Sequence, residues 1–217
     1  MAIIAITNQK GGSTKSTIAI HLAYWLAAKK RKSVHLVDAD PQRSSTKWTN
    51  LLENPFPVTE LTTADDLLEQ VPELAEQVDF LVIDSPPSTS EIARTILYCA
   101  DLAVIPCVPS PLDMDAAADT VRLVRQARTV RKKEGELPKA AFLISNAKRG
   151  TRLEKEAIAL INQIPDLVAL KTIIHQKQVV ADAFGQNVTV FDMKGKGVSE
   201  AIEEFESAFK EIMRLLK

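Results

Sequence analysis

The chain has no surplus of positive charge. Its 27 lysines and arginines face 28 aspartates and glutamates, for a formal net charge of −1 over 217 residues. That excludes a protein that coats nucleic acid or anionic lipid with its whole surface, so any such contact must come from a local patch. No apolar run reaches the length of a membrane span. The opening "MAIIAIT" is too short for a secretory leader and lacks its charged flank, so a cytoplasmic protein is expected. Only two cysteines are present, Cys99 and Cys107, with no metal-ligand spacing around them, and they read as reduced core residues. His21, His35 and His175 are scattered, and none pairs with a plausible nucleophile or metal partner. Internal repeats and low-complexity segments are absent.

What is present is a chain 46% hydrophobic, ample for a buried core, in which short apolar runs alternate with helical patterns. That alternation predicts an α/β fold: a mostly parallel, twisted sheet with helices on both faces, formed by residues 1–217 as one domain. Strands are expected at "IIAIT" (3–7), "SVHLVDAD" (33–40), "DFLVIDSPP" (79–87), "DLAVIPCVPS" (101–110) and "AAFLISN" (140–146), with weaker candidates at 169–174 and 188–191. Helices are expected through "TIAIHLAYWLAAKK" and over 114–134, 152–163 and 198–216. Strands apolar on both faces suit a parallel sheet covered on both sides. In such sheets ligands bind beyond the carboxyl ends of the strands. Here three strands deliver a glycine-rich loop, "DAD" and "DSPP" to that one edge. Five of the eleven prolines fall between 86 and 111 and read as rigid loops after two of the strands.

The glycine-rich loop, "NQKGGSTKST", departs from the generic phosphate-binding pattern G-x-x-x-x-G-K-[ST], which asks for glycine where Gln9 and Thr14 stand. It has Gly11 and Gly12 instead, with Lys10 just before them. Backbone N–H groups leading into a helix N-terminus still make a phosphate cradle, and the glycines allow close approach. Ser13, Thr14 and Thr17 belong to the same cradle. Lys15 would neutralise the β and γ phosphates, and the Ser16 hydroxyl suits Mg²⁺. The bland alternative is a strand-to-helix turn with an exposed lysine. Asp84, ending "FLVID", is placed to hold a metal's water shell. Asp38 and Asp40, two apart at a strand end, point to one side. One could orient a magnesium-bound water and the other the attacking water; a turn before Pro41 is the alternative.

These residues carry a resemblance. "KGGSTKS" matches the K-G-G-x-x-K-[ST] signature of the ParA/MinD family of deviant Walker A ATPases, P-loop NTPases that do not require glycine at position 9. "VDADPQRSSTKW", "FLVIDSPP" and "VIPCVPSPLDMDAAADTV" resemble the small ParA-type partition proteins without an N-terminal DNA-binding domain. ParF-type proteins are the nearest pattern, and carboxysome-positioning McdA-type relatives share the architecture. The resemblance implies ATP and Mg²⁺ as cofactors and an ATP-dependent homodimer. In that dimer Lys10 reaches across to the partner's nucleotide, as an arginine finger does. It also implies Asp40 as the water-orienting residue, Asp38 and Asp84 near the magnesium, and Asn146 as the adenine contact, with residues 191–193 weaker. Slow ATP hydrolysis stimulated by a ParB-like or McdB-like adaptor is expected, with nonspecific nucleoid DNA as the track and a plasmid, chromosome or protein compartment as cargo. Thr14 departs from the family's usual glycine, and a β-branched residue is costly there if φ must be positive. A nucleotide switch without turnover is therefore an alternative, as is an iron–sulfur relative using Cys99 or Cys107.

For DNA, "VRLVRQARTVRKK" places Arg122, Arg125, Arg128 and Arg131 every three residues, followed by Lys132 and Lys133, as a curved basic stripe. "AKRGTRLEK" adds Lys148, Arg149, Arg152 and Lys155, and Lys171 and Lys177 are further candidates. A solvated charged face is the alternative for either patch. The last helix tests a MinD-like membrane alternative. Its five glutamates between 200 and 211 outnumber Lys210, Arg214 and Lys217, and Ile202, Phe205, Phe209, Ile212 and Met213 recur at helical spacing. That face is expected to pack on the sheet rather than on a membrane.

Overall fold

The computed structural model describes residues 1–53, 55–87, 91–132 and 137–217. The apolar runs become parallel strands: β1 (Ala2–Ile6), β2 (Val34–Asp38), β3 (Val58–Glu60), β4 (Phe80–Asp84), β5 (Leu102–Cys107), β6 (Lys139–Ala147), β7 (Val168–Ala169) and β8 (Ile174–His175). Every pairing among them is parallel, and the order is β3-β2-β4-β1-β5-β6-β7, with β8 on β6 beyond β7. All six residues of β5 are buried, which is why its run lacks the polar alternation of a half-exposed strand.

Helices cover both faces. On one lie α1 (Lys15–Tyr24), a π-helical turn (Trp25–Lys29) that continues it, and α8 (Val198–Leu215); α2 (Ser44–Thr49) and α7 (Gln178–Gly185) flank them. Their core joins Ile18, Leu22 and Trp25 to Phe205, Phe209 and Ile212 over Ile4 and Ile6. On the other face lie α3 (Ala64–Glu76), α4 (Glu91–Cys99), α5 (Pro111–Val130) and α6 (Arg152–Ile161). The apolar side of α8 is thus spent on the sheet, as its spacing predicts. Among the described residues no helix is long and apolar enough to cross a membrane.

Four expectations need correcting. The strand expected at 169–174 splits into β7 and β8, whose two residues each pair with different parts of β6. The strand expected at 188–191 is a turn, because side chains take its backbone groups. Trp48 Nε1 donates to the Val188 carbonyl at 3.0 Å, and the Val190 N–H donates to His21 Nε2 at 3.2 Å. The long basic helix starts earlier and ends earlier than 114–134. Ser110 caps it through the Asp113 N–H with Pro111 at its first position, and it stops at Val130. Lys133 and Glu134 lie outside the described residues. Pro106, read as loop, lies inside β5 beyond the residues that pair with β1, where its missing N–H breaks no ladder there.

Candidate functional site

Sheet register assembles the site. Asp38 pairs with Asp84 across β2 and β4, and Asp84 pairs with Ile6 across β4 and β1, so three neighbouring strands end at one level. The loop after β1 runs from there into α1. Among the described residues, no protein acceptor takes the backbone N–H groups of residues 11 to 17. A helix N-terminus with that many unspent donors carries partial positive charge and is an anion site. Gly12 sits at φ +77, and a Cβ there would meet nothing within 4 Å, so its glycine serves backbone conformation rather than space.

Lys15 is buried, its Nζ 3.0 Å from the Lys10 carbonyl and 3.4 Å from Ser13 Oγ. Burial pulls its ammonium below the usual lysine range, while Asp84 and Asp40 oppose that shift. Asp84 is fully buried, and desolvation pushes its carboxyl up to about 7 against hydrogen bonds from Ser16 and Ser45. Ser45 Oγ donates to Asp84 Oδ2 at 2.5 Å, whereas Oδ1 is buried with no partner. A buried carboxylate oxygen without a donor is costly unless a cation or water completes it. Ser16 and Asp84 Oδ1 are hard oxygen donors and fit Mg²⁺. Among the described residues no group of three or more His, Cys, Asp or Glu forms a metal cage, so such an ion would complete its shell from ligand oxygens and water.

Asp38 is committed to the protein. Its Oδ2 accepts from the Thr46 N–H and hydroxyl at 2.8 and 3.0 Å, and its Oδ1 accepts from the Asp40 N–H at 3.1 Å. Both oxygens of Asp38 are thus engaged with the 40–46 turn, whereas Asp84 keeps Oδ1 without a protein partner. Asp40 lines a cleft of ≈ 570 Å³ with residues 11–17, Lys47, Trp48 and Phe184. Its Oδ1 holds the Gln42 N–H at 2.9 Å. Trp48 and Phe184 meet edge to face at 5.6 Å and wall that cleft, a placement the sequence offers no spacing to foresee. A second cavity of ≈ 340 Å³ lies beside it, lined by Thr14, Thr17, Ser145 and Asn146, with Asn146 itself at φ +52.

Two placements bear directly on the unusual loop. Thr14 does take positive φ, +66, at the N-cap of α1. For a β-branched residue that conformation costs about 1–2 kcal/mol, and the hydroxyl contact at 2.6 Å to Ser145 Oγ offsets part of it. Lys10 does not reach into the cleft of its own chain; its Nζ pairs with Asp113 Oδ2 on α5 at 2.6 Å, the side chains 35% and 5% exposed. Asp113 also accepts from the Ser110 hydroxyl.

The basic residues scatter. Arg131 is turned inward, 8% exposed, and donates to the Ala100 carbonyl, which departs from the expected stripe. Arg128 donates to the Pro138 and Asp166 carbonyls at 2.9 and 3.0 Å, and Arg125 lies 3.6 Å from the Asp166 carboxylate. Arg149 bridges Glu200 and Glu204, and Lys177 pairs with Glu204 at 2.5 Å. Arg122 and Arg152 point outward, with side chains 73% and 89% exposed and only near-neighbour acids, Asp119 and Glu156, beside them. Lys148 is also exposed. Cys107 is fully buried, which pushes its thiol above the usual range, and Cys99 is half-buried.

The family described as the CobQ/CobB/MinD/ParA nucleotide binding domain matches residues 4–190. The maintenance of carboxysome distribution protein A of Halothiobacillus neapolitanus is 28% identical over 204 residues, covering 92% of this chain and 91% of that protein. Protein ParA of Rhizobium radiobacter is 24% identical over 218 residues, covering 100% and 98%. The solved structure of apo McdA from Cyanothece superposes with a TM-score of 0.77 over 100% of both chains at 19% identity, which shows a shared fold.

Proposed function

Because this chain belongs to the CobQ/CobB/MinD/ParA nucleotide-binding family, we propose that it is a cargo-positioning ATPase of the ParA and McdA kind. In this reading ATP brings two copies together, the dimer holds DNA without sequence preference, and hydrolysis releases it. The observation that carries the nucleotide half is the coincidence, at one sheet edge, of seven unspent N–H groups, Lys15 and the unpartnered Asp84 Oδ1.

Each residue has a defined task. The N–H groups of residues 11–17 take phosphate oxygens, and Lys15 exchanges the Lys10 carbonyl and Ser13 for the β and γ phosphates. Ser16 and Asp84 hold Mg²⁺, which neutralises phosphate charge when bound. Asp40, facing the cleft, orients water for in-line attack on the γ-phosphate. Asn146, at the second cavity, takes the nucleobase edge. Lys10 acts in trans: it leaves Asp113 and meets the partner copy's phosphates, so dimerisation completes the site. Differential stabilisation of the paired state by ATP is what makes the nucleotide a switch. Arg122, Lys148 and Arg152 are the outward cations from which DNA phosphate contacts are drawn, and dimerisation doubles their number. An adaptor of the ParB or McdB kind marks the cargo and stimulates turnover.

The test is binding to nonspecific DNA at two salt concentrations, with and without ATP, with phosphate release followed in the same samples. ATP-dependent, salt-sensitive binding that Lys15→Ala abolishes is expected. Binding that ignores ATP, or survives Lys15→Ala, would sink the switch. Binding without phosphate release, even with an adaptor present, would replace the ATPase with a non-hydrolysing switch.

A further inference from the structure

Thr14 is the N-cap of α1, and a threonine there ordinarily turns its hydroxyl onto an N–H of the first helical turn. Here it makes no such cap. Thr14 Oγ1 lies 2.6 Å from the Ser13 carbonyl and 2.6 Å from Ser145 Oγ. The carbonyl can only accept, so the one proton of Thr14 goes there and Ser145 donates to Thr14. Ser145 is 1% exposed at the end of β6, next to Asn146 and 131 residues away in sequence. The bond therefore ties the loop to a strand of the sheet rather than to another loop.

We propose that Ser145 is a positioning residue that keeps the Thr14 hydroxyl off the helix N-terminus and holds the loop at positive φ, so that the first-turn N–H groups stay open for phosphate. This rests on the nucleotide reading above and adds to it a residue that the loop motif does not contain. Glycine at position 14 has no hydroxyl to divert and no strain to hold, so it needs no such partner. A threonine needs one, because on its own it relaxes toward extended φ and caps the groups the ligand requires. The pair is also the ridge between the two cavities, since Thr14 lines both and Ser145 the second. Any slip there changes the phosphate end and the Asn146 end together.

The experiment is a cycle of wild type, Ser145→Ala, Thr14→Gly and the double variant. Affinity for a fluorescent ATP analogue is measured with the melting temperature of nucleotide-free protein. Ser145→Ala is expected to weaken binding about tenfold, the loss of roughly one hydrogen bond to a charged group. Its melting temperature should stay near wild type, because a new cap replaces the lost bond. Thr14→Gly in the same chain should restore binding. A residue that merely supported the fold would lower melting temperature and affinity together, and Thr14→Gly would not rescue it. Unchanged affinity in Ser145→Ala, or an equal loss in both backgrounds, overturns the proposal. Amide hydrogen exchange at residues 15–17 in nucleotide-free protein separates this from the nucleotide reading. Slower exchange in Ser145→Ala supports the diversion even if wild type binds no ATP, and exchange no slower than wild type counts against it.

Discussion

Replacing Asp113 by asparagine should make the chain dimerise more readily with ATP. In the isolated chain Lys10 is held by Asp113 at 2.6 Å, with side chains 35% and 5% exposed. A fully exposed ion pair is worth about 0.2–1 kcal/mol and breaking a buried one costs about 3–5 kcal/mol. This half-buried pair lies between, at roughly 1–2 kcal/mol. A dimer in which both copies send Lys10 across must break two such pairs, a cost of roughly 2–4 kcal/mol, or about 30-fold to 1,000-fold in the dimerisation constant. Asparagine keeps the shape of the side chain and its contact with Ser110 while removing the charge that holds Lys10. The acid in the first turn of α5 also favours that helix by about 0.3–1 kcal/mol, so the variant should be slightly less stable as monomer and dimer alike, without changing the gain in dimerisation. The assay is sedimentation velocity across a concentration series with a non-hydrolysable ATP analogue. Asp113→Asn should dimerise at concentrations at least about tenfold lower than wild type, and Lys10→Ala should stay monomeric. If Asp113→Asn still unfolds cooperatively but dimerises no more tightly, the pair is not a brake on Lys10 and the in-trans role loses its structural support.

Three other outcomes follow from particular contacts. His21 is fully buried with its ring held by Thr17 and Val190, and desolvation pulls it down to about 4. The unfolded chain takes up this proton near pH 6.5 and the native one only near 4. Stability from His21 is therefore complete above about pH 6.5 and falls by roughly 3 kcal/mol as pH drops to 4. Urea unfolding at pH 7.5, 5.5 and 4 should show that loss as the difference between wild type and His21→Gln, because the raised Asp84 carboxyl gains stability over the same range in both chains. Gly12→Ala should cost about 1 kcal/mol through its positive φ and weaken nucleotide binding, although the added methyl clashes with nothing; an unchanged affinity would contradict the cradle. Arg152→Ala should lower DNA affinity at every sequence and reduce the salt slope by about 1.8 for a dimer, which loses one contact per copy, whereas Arg131→Ala should lower melting temperature because Arg131 is buried. The reverse pattern would move the DNA surface.

Much of the fold could be read along the chain because parallel strands buried on both faces are short, apolar and unalternating. That is why β1, β2, β4, β5 and β6 stand where "IIAIT", "SVHLVDAD", "DFLVIDSPP", "DLAVIPCVPS" and "AAFLISN" place them. β3 escaped because "VTE" is three residues at the sheet's edge with too little burial to leave a pattern. The turn at 188–191 misled because Val190 and Phe191 are apolar for the sake of the core, while His21 and Trp48 take backbone groups that a ladder would otherwise use. The basic run misled in the same way. Spacing shows that arginines recur, but whether a guanidinium meets solvent or a carbonyl such as that of Ala100 depends on a neighbour about thirty residues away.

The sequence by itself determined which sheet edge gathers the motif residues, because residues adjacent in the chain must stay adjacent in space and strand ends in a parallel sheet all point one way. It also carried the sign that position 14 is unusual. Only the tertiary structure decided what that residue touches. Ser145 is 131 residues from Thr14 and Asp113 is 103 from Lys10, and both partners are brought in by sheet order rather than by local chain geometry. Hydrogen bonds and ion pairs act over about 3 Å. A lysine or threonine in this loop therefore takes its role from whichever strand or helix end packs beside it, and no spacing in the sequence records that distance.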